Sequence, residues 1–238
     1  MRAVFVLLIV LLPVLLYGQS YMDIGKRLKL LEEQTDFKYD TAGFSLLPKF
    51  DFRCDRKNKA GSEYFHVTDI NSDDLPDLIF SGPCSPHHQT GIFLNTGKSL
   101  KKVFDYPGKI VSVEKNSSIT TINILKEAAD CDFYSQFIQV VINHQSQVTK
   151  HTIVFGAKTK IAVGNKFKED KVMGTLRTTP HINDVVKRDL CNNSIKGNQL
   201  TRIHEFKDII QINRSGPWWL VLYPENNERS WVGWIRLE

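Results

Sequence analysis

The nine residues Asp69-Ile70-Asn71-Ser72-Asp73-Asp74-Leu75-Pro76-Asp77 carry a spacing that suits a defined chemistry. Acidic or amide side chains stand at positions 1, 3, 5 and 9 of a short loop. Alternate residues of a tight loop aim their oxygens at one point, and the carbonyl at position 7 can join them, which suits a hard cation such as calcium. The apolar run Leu78-Ile79-Phe80 follows at once, so the loop feeds a β-strand. An ion held there is structural, because the protein ligands leave little room for substrate. The competing reading is a solvated Asx-rich turn without metal.

Other reactive residue types lack the company that chemistry needs. Cys84-Ser85-Pro86-His87-His88 supplies part of a zinc set, but the remaining histidines are scattered. There is no G-x-S-x-G elbow, no H-E-x-x-H and no glycine-rich phosphate loop, and His204-Glu205 does not continue into a metalloprotease motif. The expectation is a protein that is not an enzyme.

Residues 1–18 read as a secretory signal peptide: Arg2, then an apolar run from Val4 to Leu16, then the small Gly18. That run is shorter than the about 20 residues of a membrane span. The mature chain is expected to be secreted or periplasmic, with no membrane span after cleavage. The formal charge is +5, with lysines scattered rather than striped among aromatics, so nucleic acid is not an expected partner. Four cysteines, Cys54, Cys84, Cys131 and Cys191, allow two disulfides in three pairings. Cys54–Cys84 is favoured because it brackets the acidic loop. Cys131–Cys191 then follows from order along the chain.

Residues 22–35 read as a short amphipathic helix, with Ile24, Leu28 and Leu31 on one face. Residues 43–165 read as an antiparallel β domain. Its runs include Lys49–Arg53, Tyr64–Val67, Gly91–Asn95, Ile110–Val113, Ile119–Leu125, Phe137–Ile142 and His151–Phe155. Turns fall at Asn95-Thr96-Gly97, Pro107-Gly108 and Asn116-Ser117. Residues 171–238 read as short strands joined by polar turns. The fold class expected is mainly β: a blade-like antiparallel domain, a small barrel and a short N-terminal helix.

Val67 to Leu78, with the acidic loop inside it, resembles the calcium-binding core of FG-GAP/VCBS repeats. Gly91-Ile92-Phe93-Leu94-Asn95-Thr96-Gly97 resembles the L-x-N-x-G strand and turn that follows in such repeats. The likeness covers about residues 62–105. It implies Asp69, Asn71, Asp73 and Asp77 as calcium ligands, with the Leu75 carbonyl as a fifth. Asp74 stands where the family has Gly and the chain needs a left-handed residue, a conformation that Asp tolerates better than most. One clear copy is present, and a propeller needs at least about four blades, so a compact blade-like domain is expected instead.

Residues 171–238 resemble a bacterial SH3 domain. Leu176-Arg177-Thr178-Thr179-Pro180, then Ile210-Gln211-Ile212, then Gly216-Pro217-Trp218-Trp219-Leu220-Val221, then Gly233-Trp234-Ile235 occur in that family's order. The resemblance implies recognition of a peptide or of peptidoglycan. Trp219, Tyr223 and Trp234 are the candidate ligand-binding aromatics, with core packing as the alternative for each tryptophan. Trp218 and Trp219 face opposite ways on one strand. The expected function is that of an exported binding protein with a structural calcium loop, contacting a peptide, peptidoglycan or an envelope protein. The rival is a cell-wall hydrolase or hydrolase accessory protein.

Overall fold

Runs rich in Val, Ile and Phe, punctuated by Asn, Gly and Pro, form strands here because branched and aromatic side chains pack well on a pleated surface. The computed structural model describes residues 37–48, 61–84, 87–128, 134–156, 166–167, 174–188, 191, 194–203 and 209–236. The expected signal peptide (1–18), the helix at 22–35, the Lys49–Arg53 run, Cys54 and Cys131 lie outside the described residues.

The protein is mainly β. Strands β1 (Phe65–Thr68), β2 (Asp77–Cys84), β3 (His87–Asn95) and β4 (Leu100–Pro107) form a four-stranded antiparallel meander. Strands β5 (Lys109–Lys115), β6 (Ile119–Lys126), β7 (Tyr134–Asn143) and β8 (Val148–Gly156) form a second antiparallel meander. β4 carries no clean alternation. Its Lys101 and Lys102 are exposed and its apolar residues only half-buried, which hid it from pattern reading.

The C-terminal strands are β9 (Lys166–Phe167), β10 (Gly174–Arg177), β11 (Val186–Arg188), β12 (Ser194–Lys196), β13 (Gln199–Ile203), β14 (Ile210–Ser215), β15 (Trp218–Asn226) and β16 (Arg229–Arg236). They join the second meander: β16 pairs in parallel with β8, from Arg229↔Thr152 to Val232↔Phe155. The ladder thus crosses the expected boundary between 165 and 171. Among the described residues, the sheets do not close into a barrel. The closed form of the small barrel expected from the sequence is not seen among these residues. β8 takes up part of the β16 edge, and β10 pairs with β16 at Arg177↔Trp234.

Apolar clusters between these layers hold the fold together. Ile70, Ile79, Ile92 and Leu94 of the first meander pack on Ile122, Ile124, Ile138, Val140 and Ile142 of the second. The opposite face of the second meander, with Leu125, Phe137, Ile153 and Phe155, packs on Ile212, Leu220, Leu222 and Val232. Because it is covered on both sides, this sheet also buries polar groups: the Asn123 amide donates to Ser112 Oγ at 2.8 Å. At its edge the His151 ring bridges the Asn227 carbonyl (3.0 Å) and Ser230 Oγ (3.1 Å). The carbonyl only accepts, so Nδ1 carries the proton and a neutral ring takes the Ser230 hydroxyl proton at Nε2.

The segment 37–48 covers the outer face of the first meander, where Phe44 and Leu47 pack against a cluster containing Phe65, Val67 and Phe80. It is pinned at His66. The Asp40 N–H donates to His66 Nδ1 at 2.9 Å, the Val67 N–H donates to the Asp40 carbonyl at 2.7 Å, and the Phe37 ring stands edge-on to the imidazole. Burial pushes the His66 pKa below 6.5, partly offset by the charge of Asp40. A depressed histidine binds protons less readily folded than unfolded. Its contribution is therefore complete above the unfolded pKa and is lost as pH falls toward the folded value. Between about pH 7.5 and about pH 5.5 the wild-type unfolding midpoint should fall relative to that of His66→Asn, whose amide oxygen can accept in place of Nδ1. Equal pH dependence in both proteins would exclude His66 as the pin.

Candidate functional site

The acidic loop connects β1 to β2 and lies on the seam between the meanders. Its curl comes from Ser72 and Asp74, at φ 61° and 66°. Asp74 therefore adopts the left-handed conformation expected of that position, at the modest cost that Asp incurs there. Three groups of the second meander hold the loop. Thr120 Oγ1 donates to the Ile70 carbonyl at 2.6 Å, Ser146 Oγ accepts from the Asn71 amide at 3.1 Å, and Lys115 Nζ reaches the Asp69 carbonyl at 2.6 Å.

Each side chain of the expected ligand set has a definite position. Asp77 is fully buried, and each carboxylate oxygen accepts a backbone N–H at 2.7 Å, one from Ile70 and one from Asn95. Burial pushes its carboxyl up to about 6, against those N–H groups, which pull it down. Asp73 accepts from the Leu75 N–H at 2.9 Å and from the Asn71 amide at 2.9 Å. Asp69 accepts from the Asp73 N–H at 3.2 Å and pairs with the Lys115 ammonium at 3.2 Å. The Leu75 carbonyl sits at position 7, between these two carboxylate residues and Asp77 in sequence.

Asn71 differs from the rest. It is 6% exposed and its amide nitrogen is satisfied, yet its Oδ1 is buried without a hydrogen-bond partner. An orphaned buried acceptor is costly. Turning the amide over would set that oxygen beside the Asp73 carboxylate and the Ser146 hydroxyl, where a calcium ion would offset the repulsion between the two residues' oxygens. The oxygen donors of the loop are of the hard type that calcium takes. In the arrangement seen, the carboxylates are satisfied by backbone N–H groups and by Lys115. Among the described residues no three His, Cys, Asp or Glu side chains gather closely enough to hold a metal ion.

The two motifs of the first meander are physically joined. Asn95 takes the Asp77 carboxylate at its N–H, donates its amide to the Pro76 carbonyl at 3.0 Å, and accepts from the Gly97 N–H at 2.9 Å. The L-x-N-x-G strand thus clamps the end of the acidic loop. Sequence reading missed Lys115, Thr120 and Ser146. Nothing in their local pattern marks them, since they reach the loop only through sheet packing.

The C-terminal aromatics divide between two faces. Trp219 and Tyr223 stand on one face of β15, opposite Ile235 and Trp231. All three aromatics there are half-buried and pack on a cluster containing Leu176, Leu200 and Val221. Trp234 pairs with Leu220 on the other face and packs on the cluster shared with the second meander. The structure therefore brings Trp219 and Tyr223 together but not Trp234, and Trp231 takes the third place. Tyr134 meets Trp231 edge-to-face at 6.1 Å, and Trp231 Nε1 is buried without a hydrogen-bond partner. Trp218 is buried on the face opposite Trp219.

No family model, no curated protein and no solved structure matches the chain. The likeness to FG-GAP/VCBS repeats and to bacterial SH3 domains thus stands on the quoted motifs. Cys84 and Cys191 are each disulfide-bonded, while the other two cysteines, Cys54 and Cys131, fall outside the described residues.

A second polar centre ties the segment between β10 and β11 to the turn between β12 and β13. Arg177 is buried and donates to Asp184 at 2.7 Å and to Asn198 Oδ1 at 2.9 Å. The guanidinium beside Asp184 holds its carboxyl below the usual carboxylate range. The Asn198 amide donates to Thr179 Oγ1 at 2.6 Å and to the His181 carbonyl at 2.8 Å. Gly197, at φ 59°, lies against the Asn183 carbonyl, which an added Cβ would overlap. The loop so fixed exposes Ile182, Val185 and Val186.

Proposed function

We propose that this chain is an exported, non-catalytic binding protein whose acidic loop takes a structural calcium ion. In this reading residues 171–238 act as an SH3-like module for a peptide, peptidoglycan or an envelope protein. The observation that carries the calcium part is the buried, unpartnered Asn71 oxygen within an Asp69–Asp77 loop of hard oxygen donors. Its place on the seam between the meanders gives the ion a structural role, because stiffening the loop stiffens the packing of one meander on the other. The half-buried Trp219, Tyr223 and Trp231 support the binding part, since aromatic surface gives large contact area at low entropic cost. Cys54–Cys84 and Cys131–Cys191 are the disulfides of this reading.

The test is thermal unfolding of the full mature chain with calcium chloride and with chelator. Calcium at about 100 times its dissociation constant stabilises by about 2.7 kcal/mol, a rise of roughly 5–10 °C in Tm for a chain of this size. The rise should vanish in Asp73→Ala. No rise in protein first stripped of metal would reduce the loop to an Asx-rich turn. Turnover of peptidoglycan by the same preparation would replace the binding reading with the hydrolase one.

A further inference from the structure

The acidic loop already holds a cation of the protein's own. Lys115 is the last residue of β5, and its ammonium lies 2.6 Å from the Asp69 carbonyl oxygen and 3.2 Å from Asp69 Oδ2. Its backbone is fixed by the β5–β6 ladder, where Lys115 is paired with Thr120, and by the turn in which Asn116 Oδ1 accepts from the Ser118 and Ile119 N–H groups. The loop is fixed against the same strand pair by the Thr120 bond to the Ile70 carbonyl. Both ends of the contact are thus anchored, and the ammonium reaches the first residue of the loop from a neighbouring meander.

A calcium ion needs six to eight oxygen ligands, so a carboxylate engaged by an ammonium must be released or shared before it can serve. We propose that Lys115 is a resident counter-cation which calcium has to displace from Asp69, so that this lysine sets the affinity of the loop. The inference rests on the calcium reading of the loop. It explains two features together. The Asp69 carboxylate and carbonyl are both engaged by the ammonium, and the carboxylates of the loop do not gather round one point. Without calcium, Lys115 ties the loop to the second meander. With calcium, the ion neutralises the loop, and the lysine is repelled toward solvent, where its side chain is already 37% exposed.

The test is calcium titration by calorimetry on the full mature chain, first stripped of metal, as wild type, Lys115→Met and Lys115→Arg. Methionine keeps the apolar stem and removes the charge; arginine keeps the charge. A single positive charge about 5 Å from a divalent ion, screened as in water, corresponds to about a tenfold effect on affinity. Lys115→Met should therefore bind about tenfold tighter than wild type, and Lys115→Arg close to wild type. Calcium binding to Lys115→Met alone would also support the proposal, as the limit in which the lysine excludes the ion. Equal or weaker binding by Lys115→Met, beside a wild type that binds, would overturn the competitive role and leave the calcium reading standing. Binding by none of the three proteins, each folded by circular dichroism, would overturn the calcium reading and this inference with it.

Discussion

Asp77→Ala should lower folding stability by about 3–5 kcal/mol, the largest effect expected of any loop residue. The carboxylate is fully buried and accepts the Ile70 and Asn95 N–H groups at 2.7 Å each. Alanine leaves both donors buried, and each such donor costs roughly 1–3 kcal/mol. Relief of the cost of burying the carboxylate offsets part of this, since burial already raises its pKa to about 6. The loss is also structural, because Asp77 is where β2, β3 and the acidic loop meet. Asp77→Asn should fall between the two: its amide oxygen keeps one N–H, while its NH2 faces the other. Urea unfolding of the metal-free protein reads both. A cost below about 1 kcal/mol for alanine would mean that water reaches these N–H groups and that the clamp between the two motifs is not built as described.

Asn198→Ala should cost about 3 kcal/mol and loosen the segment between β10 and β11. This one side chain donates to Thr179 and His181 and accepts from Arg177 and from the Asn183 N–H. Alanine removes the bonds to two loop segments at once and leaves the buried guanidinium with Asp184 as its remaining side-chain partner. Asp184 is 44% exposed at its side chain, so water screens that pair and it cannot make good the loss. Amide exchange should then accelerate across residues 178–185 while the β6–β7 ladder keeps its protection, because local opening follows local bonding. Unchanged exchange in the loop would show that Gly197 and the backbone pairing of Asn183 and Val185 hold it without the asparagine.

Apart from β4, the strands of the two meanders were legible because they obey local rules. Ile119–Leu125 and Phe137–Ile142 are β-branched or aromatic at most positions and are bounded by turn residues, and they lie inside β6 and β7. The acidic loop was legible for the same reason. Its spacing and the need for a left-handed residue at position 6 are properties of nine consecutive residues, and the Asp74 backbone meets that need. β4 and β13 were not legible. The apolar residues of β4 are only half-buried, and β13 buries Leu200 and Ile203 three positions apart, so neither alternates; they exist as strands because β3 and β10 offer them edges.

What the sequence by itself determined is the mainly β character, the loop of hard oxygen donors and the opposite facing of Trp218 and Trp219. All of these follow from contacts within a few residues. The tertiary structure alone decided that β8 and β16 pair in parallel, that Trp234 lies on the face away from Trp219 and Tyr223, and that Lys115, Thr120 and Ser146 grip the acidic loop. These join residues far apart in the chain, 46 positions in the case of Lys115 and Asp69, or depend on which face of a sheet is covered by another layer. A strand's side-chain period tells which residues share a face; only packing tells which neighbour that face meets.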